Sequence, residues 1–470
     1  MKTILFLLPT GLSVRNLLAT GVVEGLLKNR DVCVVVLTPE EPEDAKRYSR
    51  AGDRLIFERL PPRSSSAFTK FLHAVLRRRF YKINGTGSLK ILSRGPLASR
   101  LTESLVDAIL RQPLPRSRAI YGWLRSLGRR FPGVSRDVVE LFLRYQPSLV
   151  VSSTFTTMWE YSFIRHAAAT GVASVGIVKS WDVLTTKGYI PSPLDYYLVW
   201  NQTMKDEMTR VHQVPEDRVW PVGVTQFDVY ADRSGLIPRE QFLRDHGLDP
   251  ARKTILYATS TPEINPEDPQ VLRRLVTALD QAPNTSAQIL VRIHPLDSMV
   301  RYRGVSHPHL AFQVPGAYLA NSGDRRLLDP DFLVEMRDTL LHCDVVVNTA
   351  STISLDGVAM DKPVIAIAFD LEPRHYNRSA SRYYDLAHYR PVVDSGATKI
   401  GRTFEECLAL IIRYLNTPEL ESRERASLRE TMCYKVDGRS SWRVTELILG
   451  VLDGHALATT YSRLEHLSRR

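Results

Sequence analysis

A cluster of hydroxyl side chains lies between two apolar runs of this chain. The runs, residues 345–347 and 364–369, are rich in β-branched residues, which is typical of buried parallel strands. Four hydroxyl residues follow the first run: Thr349, Ser351, Thr352 and Ser354. They can cap a helix that ends before Pro363, and they can help its free N–H groups to bind a phosphate. We therefore predict a strand–turn–helix–strand unit with a phosphate site at its turn. An ordinary capped helix without a ligand is the alternative.

A second predicted strand, residues 288–294, ends in a histidine. Pro295 favours an extended backbone at His294, so the imidazole should be held at the carboxyl edge of the strand. Arg292 is separated from His294 by one residue, and alternation along a strand places both side chains on the same face. The pair could donate a proton or hydrogen bonds to a departing phosphate.

A third predicted strand, residues 254–258, runs into Ser260 and Thr261. The carboxyl ends of parallel strands meet at one edge of a sheet, and three such ends with polar side chains suit a nucleotide pocket. Each of these side chains could instead be a turn former. Three further residues follow the run 364–369 and are predicted to lie on the same edge: Asp370, Glu372 and Arg374.

The composition is that of a soluble globular protein. The chain has 470 residues, 44% apolar and 24% charged, which indicates two or three domains. No run approaches the roughly 20 apolar residues of a membrane span, and residues 4–8 read as a first buried strand rather than a signal peptide. The four cysteines are widely spaced without a CxxC pair, which favours a cytoplasmic protein with neither a disulfide framework nor a metal site.

Positive charge is concentrated in residues 63–136. This stretch has 16 Lys or Arg against two acidic residues, a balance of +14, whereas the whole chain carries +11. Two segments within it, residues 68–81 and 119–131, interleave aromatic residues with arginines and can form amphipathic helices. Such helices can lie on an anionic membrane surface. Nucleic-acid binding and simple packing on the protein's own domain are the alternatives.

Apolar and amphipathic segments alternate along the chain, which predicts an α/β fold with doubly wound parallel sheets. Neither GxGxxG nor a P-loop occurs, which disfavours dehydrogenases and P-loop enzymes. Strands are predicted at residues 3–8, 32–37, 55–58, 149–152, 174–178 and 196–199. Helices are predicted at residues 14–28, 134–144, 159–170 and 205–211. A second alternating region starts near residue 253.

These patterns divide the chain into two main domains. We predict a first domain at residues 1–235, with the basic stretch 63–136 as a helical insertion. A polar, turn-rich hinge at 223–238 leads into a second domain at 236–421. The remaining helices, residues 422–470, are predicted to pack back on the first domain.

The residues around Ser351 resemble those of a known group of enzymes. Asn348-Thr-Ala-Ser-Thr-Ile-Ser-Leu-Asp356 is similar to the donor helix of the GT-B GlcNAc transferase of peptidoglycan synthesis. The resemblance implies a GT-B fold, two Rossmann-like domains facing a cleft, with Asp356 holding the ribose of the nucleotide. His294-Pro295 with Ser351 and Thr352 also resembles the motifs of bacterial sialyl-, polysialyl- and Kdo-transferases and of CDP-glycerol glycerophosphotransferases.

A segment of the first domain also resembles surface-polysaccharide transferases. It runs from Val178 to Gly188 and includes Lys179, Asp182 and Lys187. Asp182 follows the predicted strand 174–178 and should face the cleft, so it is our candidate base for an acceptor hydroxyl. A structural role as the cap of the next turn is the alternative.

We therefore predict a cytoplasmic, peripheral membrane glycosyltransferase. It would move a sugar from a nucleotide-sugar donor to a lipid-linked or glycan acceptor of bacterial surface polysaccharide, by inversion, without a metal or other cofactor. CDP-glycerol glycerophosphotransfer is the main alternative. A UDP-GlcNAc 2-epimerase is a weaker alternative, because Asp394-Ser-Gly396 lacks the paired acidic residues expected after it. A basic nucleic-acid-binding protein ranks last, since it leaves the strand ends unexplained, and no nucleic-acid partner is expected.

Overall fold

The computed structural model describes most of the chain and shows two compact units. One comprises Met1–Val222 with Ser441–Arg470, and the other comprises Gly223–Asn321 with Arg325–Ser440. The residues described are 1–39, 52–61, 67–86, 134–283, 285–315 and 331–468, with positions 122 and 126. Much of the predicted basic insertion, including nearly all of the segment 119–131, lies outside them.

The first unit is built on a seven-stranded parallel sheet in the order β3-β2-β1-β4-β5-β6-β7. Its strands are β1 Lys2–Leu7, β2 Val32–Thr38, β3 Leu55–Arg59, β4 Leu149–Ser152, β5 Ala173–Ile177, β6 Tyr196–Val199 and β7 Val219–Pro221. Its described helices up to β7 are α1 Gly11–Leu18, α2 Val22–Leu27, α3 Ala67–Asn84, α4 Arg136–Tyr145, α5 Tyr161–Thr170, α6 Val183–Thr186 and α7 Gln202–Arg210. Every residue of β2 is buried, because helices cover both faces of the sheet.

The second unit is built on a six-stranded parallel sheet in the order β10-β9-β8-β11-β12-β13. Its strands are β8 Lys253–Ala258, β9 Ala287–Arg292, β10 Leu310–Gln313, β11 Val345–Asn348, β12 Val364–Ile367 and β13 Thr398–Gly401. Its described helices are α8 Asp228–Ala231, α9 Arg239–Asp245, α10 Asp268–Gln281, α11 Phe332–His342, α12 Ile353–Ala359, α13 Arg390–Asp394, α14 Phe404–Asn416 and α15 Ser422–Leu428. Two doubly wound parallel sheets confirm the predicted α/β fold class.

Two helices after the second unit return to the first unit. They are α16 Ser440–Leu452 and α17 Leu457–Ser468. Lys2 Nζ lies 2.7 Å from Asp453 Oδ1, and Thr445 Oγ1 donates to the Val22 carbonyl at 3.2 Å. The predicted boundary at residue 235 falls within the second unit, where Tyr230 of α8 donates to Asp356 of α12.

Glycine permits close packing beneath the hydroxyl-rich turn. A Cβ on Gly357 of α12 would lie 2.8 Å from Val364 Cγ2 of β12. A side chain at this position would therefore push α12 away from the sheet, along with the turn that begins it.

The arginine-rich helix α3 packs on its own unit. Leu76, Phe80 and Tyr81 are buried, and Arg79 is only 5% exposed. Tyr81 donates a hydrogen bond to the Thr186 carbonyl of α6. Arg79 therefore does not lie on the exposed face of this helix, and its aliphatic stem takes part in packing. Among the residues that the structure describes, no helix is long and apolar enough to span a bilayer.

Candidate active site

The second sheet has a topological switch point between β8 and β11. The chain adds β9 and β10 on one side of β8, then β11, β12 and β13 on the other. Ala258, at the end of β8, pairs with Arg292 of β9 and with Asn348 of β11. The residues that follow these three meet at one edge of the sheet, where open α/β sheets bind ligands.

His294 lies half-buried at this edge with one ring nitrogen already engaged. Its backbone N–H donates to Thr259 Oγ1 at 2.8 Å, and its Nδ1 accepts from the Leu296 N–H at 3.0 Å. A neutral imidazole that accepts at Nδ1 carries its proton on Nε2. Nε2 is therefore the nitrogen that can donate to a ligand.

Ser351 and Thr352 lie half-buried immediately before α12. The preceding Ala350 has a left-handed backbone, with φ of +43°, and its N–H donates to the Tyr384 hydroxyl at 3.0 Å. The Ser351 N–H donates to Asn348 Oδ1 at 3.1 Å. Within the described part of the chain, both hydroxyls lack a protein hydrogen-bond partner. We call His294, Ser351 and Thr352 the donor rim.

Thr349 and Ser354, which we predicted as ligand contacts, lie in the interior. Ser354 is fully buried, and its Oγ lies 3.1 Å from Asn348 Oδ1 and 2.8 Å from the Tyr389 hydroxyl. Thr349 Oγ1 accepts from Asn265 Nδ2 at 3.2 Å. Because α12 begins at Ile353, its helical phase turns Ser354 inward. Both residues brace the turn rather than line its surface.

Ser260 is likewise buried and binds a carboxylate that we did not predict. Its N–H donates to Asp268 Oδ2 at 2.9 Å, and the Tyr257 hydroxyl donates to Asp268 Oδ1 at 2.7 Å. Burial raises the pKa of Asp268 to about 7, although these hydrogen bonds oppose the rise. Thr261 is half-buried and forms a turn through its carbonyl, which accepts from the Ile264 N–H at 2.9 Å.

Arg292 and Asp356 lie below the donor rim. Arg292 is 3% exposed, and its Nη1 donates to Gln313 Oε1 and Glu335 Oε1, both at 2.6 Å. Asp356 is 8% exposed and accepts from the Tyr230 hydroxyl at 2.5 Å. Arg292 is thus a buried, paired cation rather than an exposed phosphate ligand. Tyr230 could not be recognised beforehand, since it lies 126 residues from Asp356 in sequence.

The residues predicted after β12 surround a second unpredicted carboxylate, Glu267. It accepts from the Leu371 N–H at 2.7 Å and from Arg374 Nη2 at 2.9 Å. Asp370 Oδ1 accepts from the Ala380 N–H at 3.2 Å, whereas Glu372 is exposed. Asp370 and Arg374 therefore hold the loop in place.

The Asp182 carboxylate of the first unit is held by its own loop. It accepts from Ser180 Oγ at 2.7 Å and from Thr186 Oγ1 at 2.9 Å, and Lys187 Nζ lies 3.3 Å away. A Cβ on Gly188, where φ is +104°, would lie 3.0 Å from Arg77 Cγ of α3. Helix α3 therefore packs directly on the loop that carries Asp182 and Lys187.

A further carboxylate of the first unit, Glu160, follows β4 and was not predicted. It accepts from Ser152 Oγ and, at 2.7 Å, from Thr154 Oγ1. Burial raises the pKa of Glu160 to about 7, and Lys179 opposes the rise. Lys179 Nζ also donates to Thr10 Oγ1 at 3.1 Å. The hydroxyl residues at 152–157 were the sequence signal for this site.

Comparison with known proteins identifies the fold and the family. The UDP-GlcNAc 2-epimerase of Neisseria meningitidis, solved with UDP-GlcNAc, shares 13% identity and a TM-score of 0.54, over 96% of this chain and 100% of that one. The UDP-GlcNAc 2-epimerase of Methanocaldococcus jannaschii shares 12% identity and a TM-score of 0.53, over 96% and 99%. At this identity the likeness shows the fold alone. A search of curated proteins gives no match.

The two-domain GT-B fold and the family match define a nucleotide-dependent transferase, as predicted. The family model of CDP-glycerol:poly(glycerophosphate) glycerophosphotransferase matches residues 185–450, more than half of the chain. The chain belongs to this family.

Proposed function

We propose that this protein transfers a glycosyl group from a nucleotide-sugar to a hydroxyl of a lipid-linked or glycan acceptor in the synthesis of a bacterial surface polymer. The donor rim carries this proposal. It places the Nε2–H of His294 and the hydroxyls of Ser351 and Thr352 at the switch point of a parallel sheet. These groups are donors, as the developing negative charge of a departing phosphate requires.

The proposed reaction breaks the bond between the sugar carbon and the phosphate oxygen. The acceptor oxygen attacks that carbon with inversion, and the nucleotide leaves with the bonding electron pair. His294 Nε2 donates a proton or hydrogen bond to the leaving oxygen, while the hydroxyls of Ser351 and Thr352 bind phosphate oxygens. Asp182 is the proposed base for the acceptor hydroxyl. Its partners Ser180, Thr186 and Lys187 would fix the orientation of its carboxylate.

Glycerophosphate transfer from CDP-glycerol is the second candidate, and the family match favours it. Here the acceptor oxygen attacks phosphorus, and CMP is the leaving group. The donor rim would serve both reactions, because in each the negative charge develops on a phosphate oxygen.

Contact with an anionic membrane surface is part of the proposal. Phe68, at the start of α3, is 52% exposed, and Lys70 and Lys82 are exposed on the same helix. The strongly basic composition of residues 63–136 supports this role, since each basic residue near an anionic surface contributes about 1 kcal/mol.

A donor panel tests the proposal and separates its two forms. The purified protein is heated with UDP-, GDP-, CDP- and TDP-sugars and with CDP-glycerol. A donor at 100 times its Kd should stabilise the fold by about 2.7 kcal/mol. Turnover of the stabilising donor should release a nucleoside diphosphate for glycosyl transfer, or CMP from CDP-glycerol for glycerophosphate transfer. Failure of every donor to bind would refute both forms.

The Ser351→Ala/Thr352→Ala variant is the matched control for the location of the site. It should weaken binding of the stabilising donor while the unfolding temperature without a ligand changes little. Unchanged donor affinity would move the phosphate site away from the donor rim.

A further inference from the structure

Two buried side chains below the donor rim each have one NH₂ group without a hydrogen-bond acceptor. In the part of the chain that the structure describes, Arg292 Nη2 and Asn348 Nδ2 are both buried and have no hydrogen-bond partner. Arg292 is 3% exposed and Asn348 is 1% exposed. A buried donor without an acceptor costs about 1–3 kcal/mol, so two of them close together call for an explanation.

The sheet register places these two donors in one row. Arg292 and Asn348 both pair with Ala258 on the strand between them, and paired residues of parallel strands project to the same face. The methyl group of Ala258 leaves room between the longer side chains. Ala258 is buried too, at 7% exposed. We call Arg292, Ala258 and Asn348 the floor row.

Other contacts fix which atoms of the floor row are donors. Asn348 Oδ1 accepts from the Ser351 N–H at 3.1 Å, which assigns its oxygen and leaves Nδ2 as the other end of the amide. Arg292 is held at Nη1 by Gln313 and Glu335. The two groups left over are therefore both donors, and their ligand must supply acceptors.

The charge around Arg292 disfavours a phosphate as that ligand. Glu335 Oε1 already lies 2.6 Å from Arg292 Nη1. Burial lowers the pKa of Arg292, and Glu335 and Asp356 both oppose this by favouring the charged guanidinium. One cation thus faces two carboxylates, and a phosphate would add further negative charge. A neutral carbonyl adds none.

We propose that the floor row recognises the base of the donor nucleotide by donating to the O2 carbonyl of a pyrimidine. The proposal rests on the function proposed above, since it completes the same site. Purines suit the row less well, because adenine has no carbonyl and the O6 carbonyl of guanine lies beside its N1–H donor, whereas the O2 carbonyl of cytosine lies beside the acceptor N3. The ribose and phosphates would then extend toward the donor rim. The base must displace part of the protein that covers the two donors.

The test compares ligands with and without a base. Asn348→Asp keeps the acceptor oxygen and the shape but replaces the unpartnered N–H₂ group with an oxygen. It should lower the affinity for CMP or UMP, whichever the wild type binds, by at least about tenfold. This is the effect expected from the loss of about one hydrogen bond to a buried group. Affinity for ribose 5-phosphate, which lacks a base, should fall much less, because this ligand loses no hydrogen bond. Asn348→Ala adds no charge but also removes the acceptor of the Ser351 N–H, so it should weaken binding of the nucleotide more than binding of ribose 5-phosphate.

Two further variants complete the comparison. Ser351→Ala/Thr352→Ala should weaken binding of ribose 5-phosphate as well, because the donor rim is proposed to bind the phosphate. Asn201→Asp alters another buried asparagine whose Oδ1 accepts from a helix N–H, that of Met204, and should change neither affinity.

Each alternative outcome has a distinct meaning. Equal losses for pyrimidine nucleotide and ribose 5-phosphate in the Asn348 variants would place the floor row at the phosphate, against the proposal. Unchanged nucleotide affinity would show that the two donors are satisfied without a ligand. Binding of purine nucleotides alone by the wild type would overturn base recognition and leave the proposed transferase function standing. Binding of no nucleotide would refute that function itself.

Discussion

Contacts fix both the backbone and one ring nitrogen of His294. Pro295 and the Thr259 hydroxyl fix its backbone, and the Leu296 N–H occupies Nδ1. In the neutral ring Nε2 then bears the proton and is the nitrogen that can donate to a ligand. The residue is thereby prepared to donate at a defined atom before a substrate arrives.

Replacing His294 with Ala should lower turnover by about 100-fold or more, because general acid assistance to the leaving phosphate is lost. Donor affinity should fall much less, since Ser351 and Thr352 remain. The measurement is single-turnover transfer with the donor identified by thermal shift, alongside calorimetry. Near-normal turnover in a folded variant would reduce His294 to a turn residue.

The buried carboxyl of Asp268 should make the free energy of unfolding depend on pH. Its folded-state pKa of about 7 lies above the ordinary value of 3.8, so folding favours its protonated form. The stability that it contributes is fully present below the unfolded pKa and is lost as the pH rises through about 7. In Asp268→Asn this dependence disappears. Relative to wild type, the variant should be least stable below about pH 3.8 and should recover as the pH rises to about 7, by up to about 1.4 kcal/mol per pH unit.

Denaturant unfolding at several pH values checks this expectation. The exposed Asp245 provides a control, and Asp245→Asn should follow the wild-type curve. A difference between Asp268→Asn and wild type that is constant with pH would show that folding does not raise the pKa of Asp268.

At the scale of the element, helical phase decided which hydroxyls of the predicted turn face outward. The sequence correctly indicated a strand, a hydroxyl-rich turn and a short helix, because short β-branched runs and a proline mark their limits. It could not separate Ser351 and Thr352 from Ser354, since that requires the first residue of α12. The burial of Arg292 could not be predicted for a related reason, because its partner Glu335 lies 43 residues away in sequence.

Helix α3 also has two kinds of basic residue, and they should respond differently to substitution. Lys70 and Lys82 are exposed, whereas Arg79 is buried. Lys70→Glu with Lys82→Glu should weaken binding to anionic vesicles at least about tenfold without lowering the unfolding temperature. Arg79→Ala should lower the unfolding temperature. Vesicle flotation and thermal unfolding measure the two effects, and unchanged flotation in the lysine variant would exclude α3 as the membrane contact.

At the scale of the whole molecule, both units repeat one plan. Each has a parallel sheet with a switch point, β1/β4 in one and β8/β11 in the other, and each places a buried carboxylate with a raised pKa just beyond the edge. Alternating strands and helices made the paired sheets predictable. The carboxylates Glu160 and Asp268 were not predictable, because only the folded chain shows that they receive hydrogen bonds from the strand ends.

The return of residues 441–470 to the first unit has a consequence for how the protein is made. Val444, Leu447 and Ile448 of α16 are buried, and Lys2 binds Asp453. Domains generally fold in order of synthesis on the ribosome. Here the first unit to be translated lacks part of its core until residues 441–470 emerge, while the second unit needs only residues up to 440. The apolar surface of the nascent first unit therefore stays exposed until residues 441–470 are synthesised, and a chaperone can bind there.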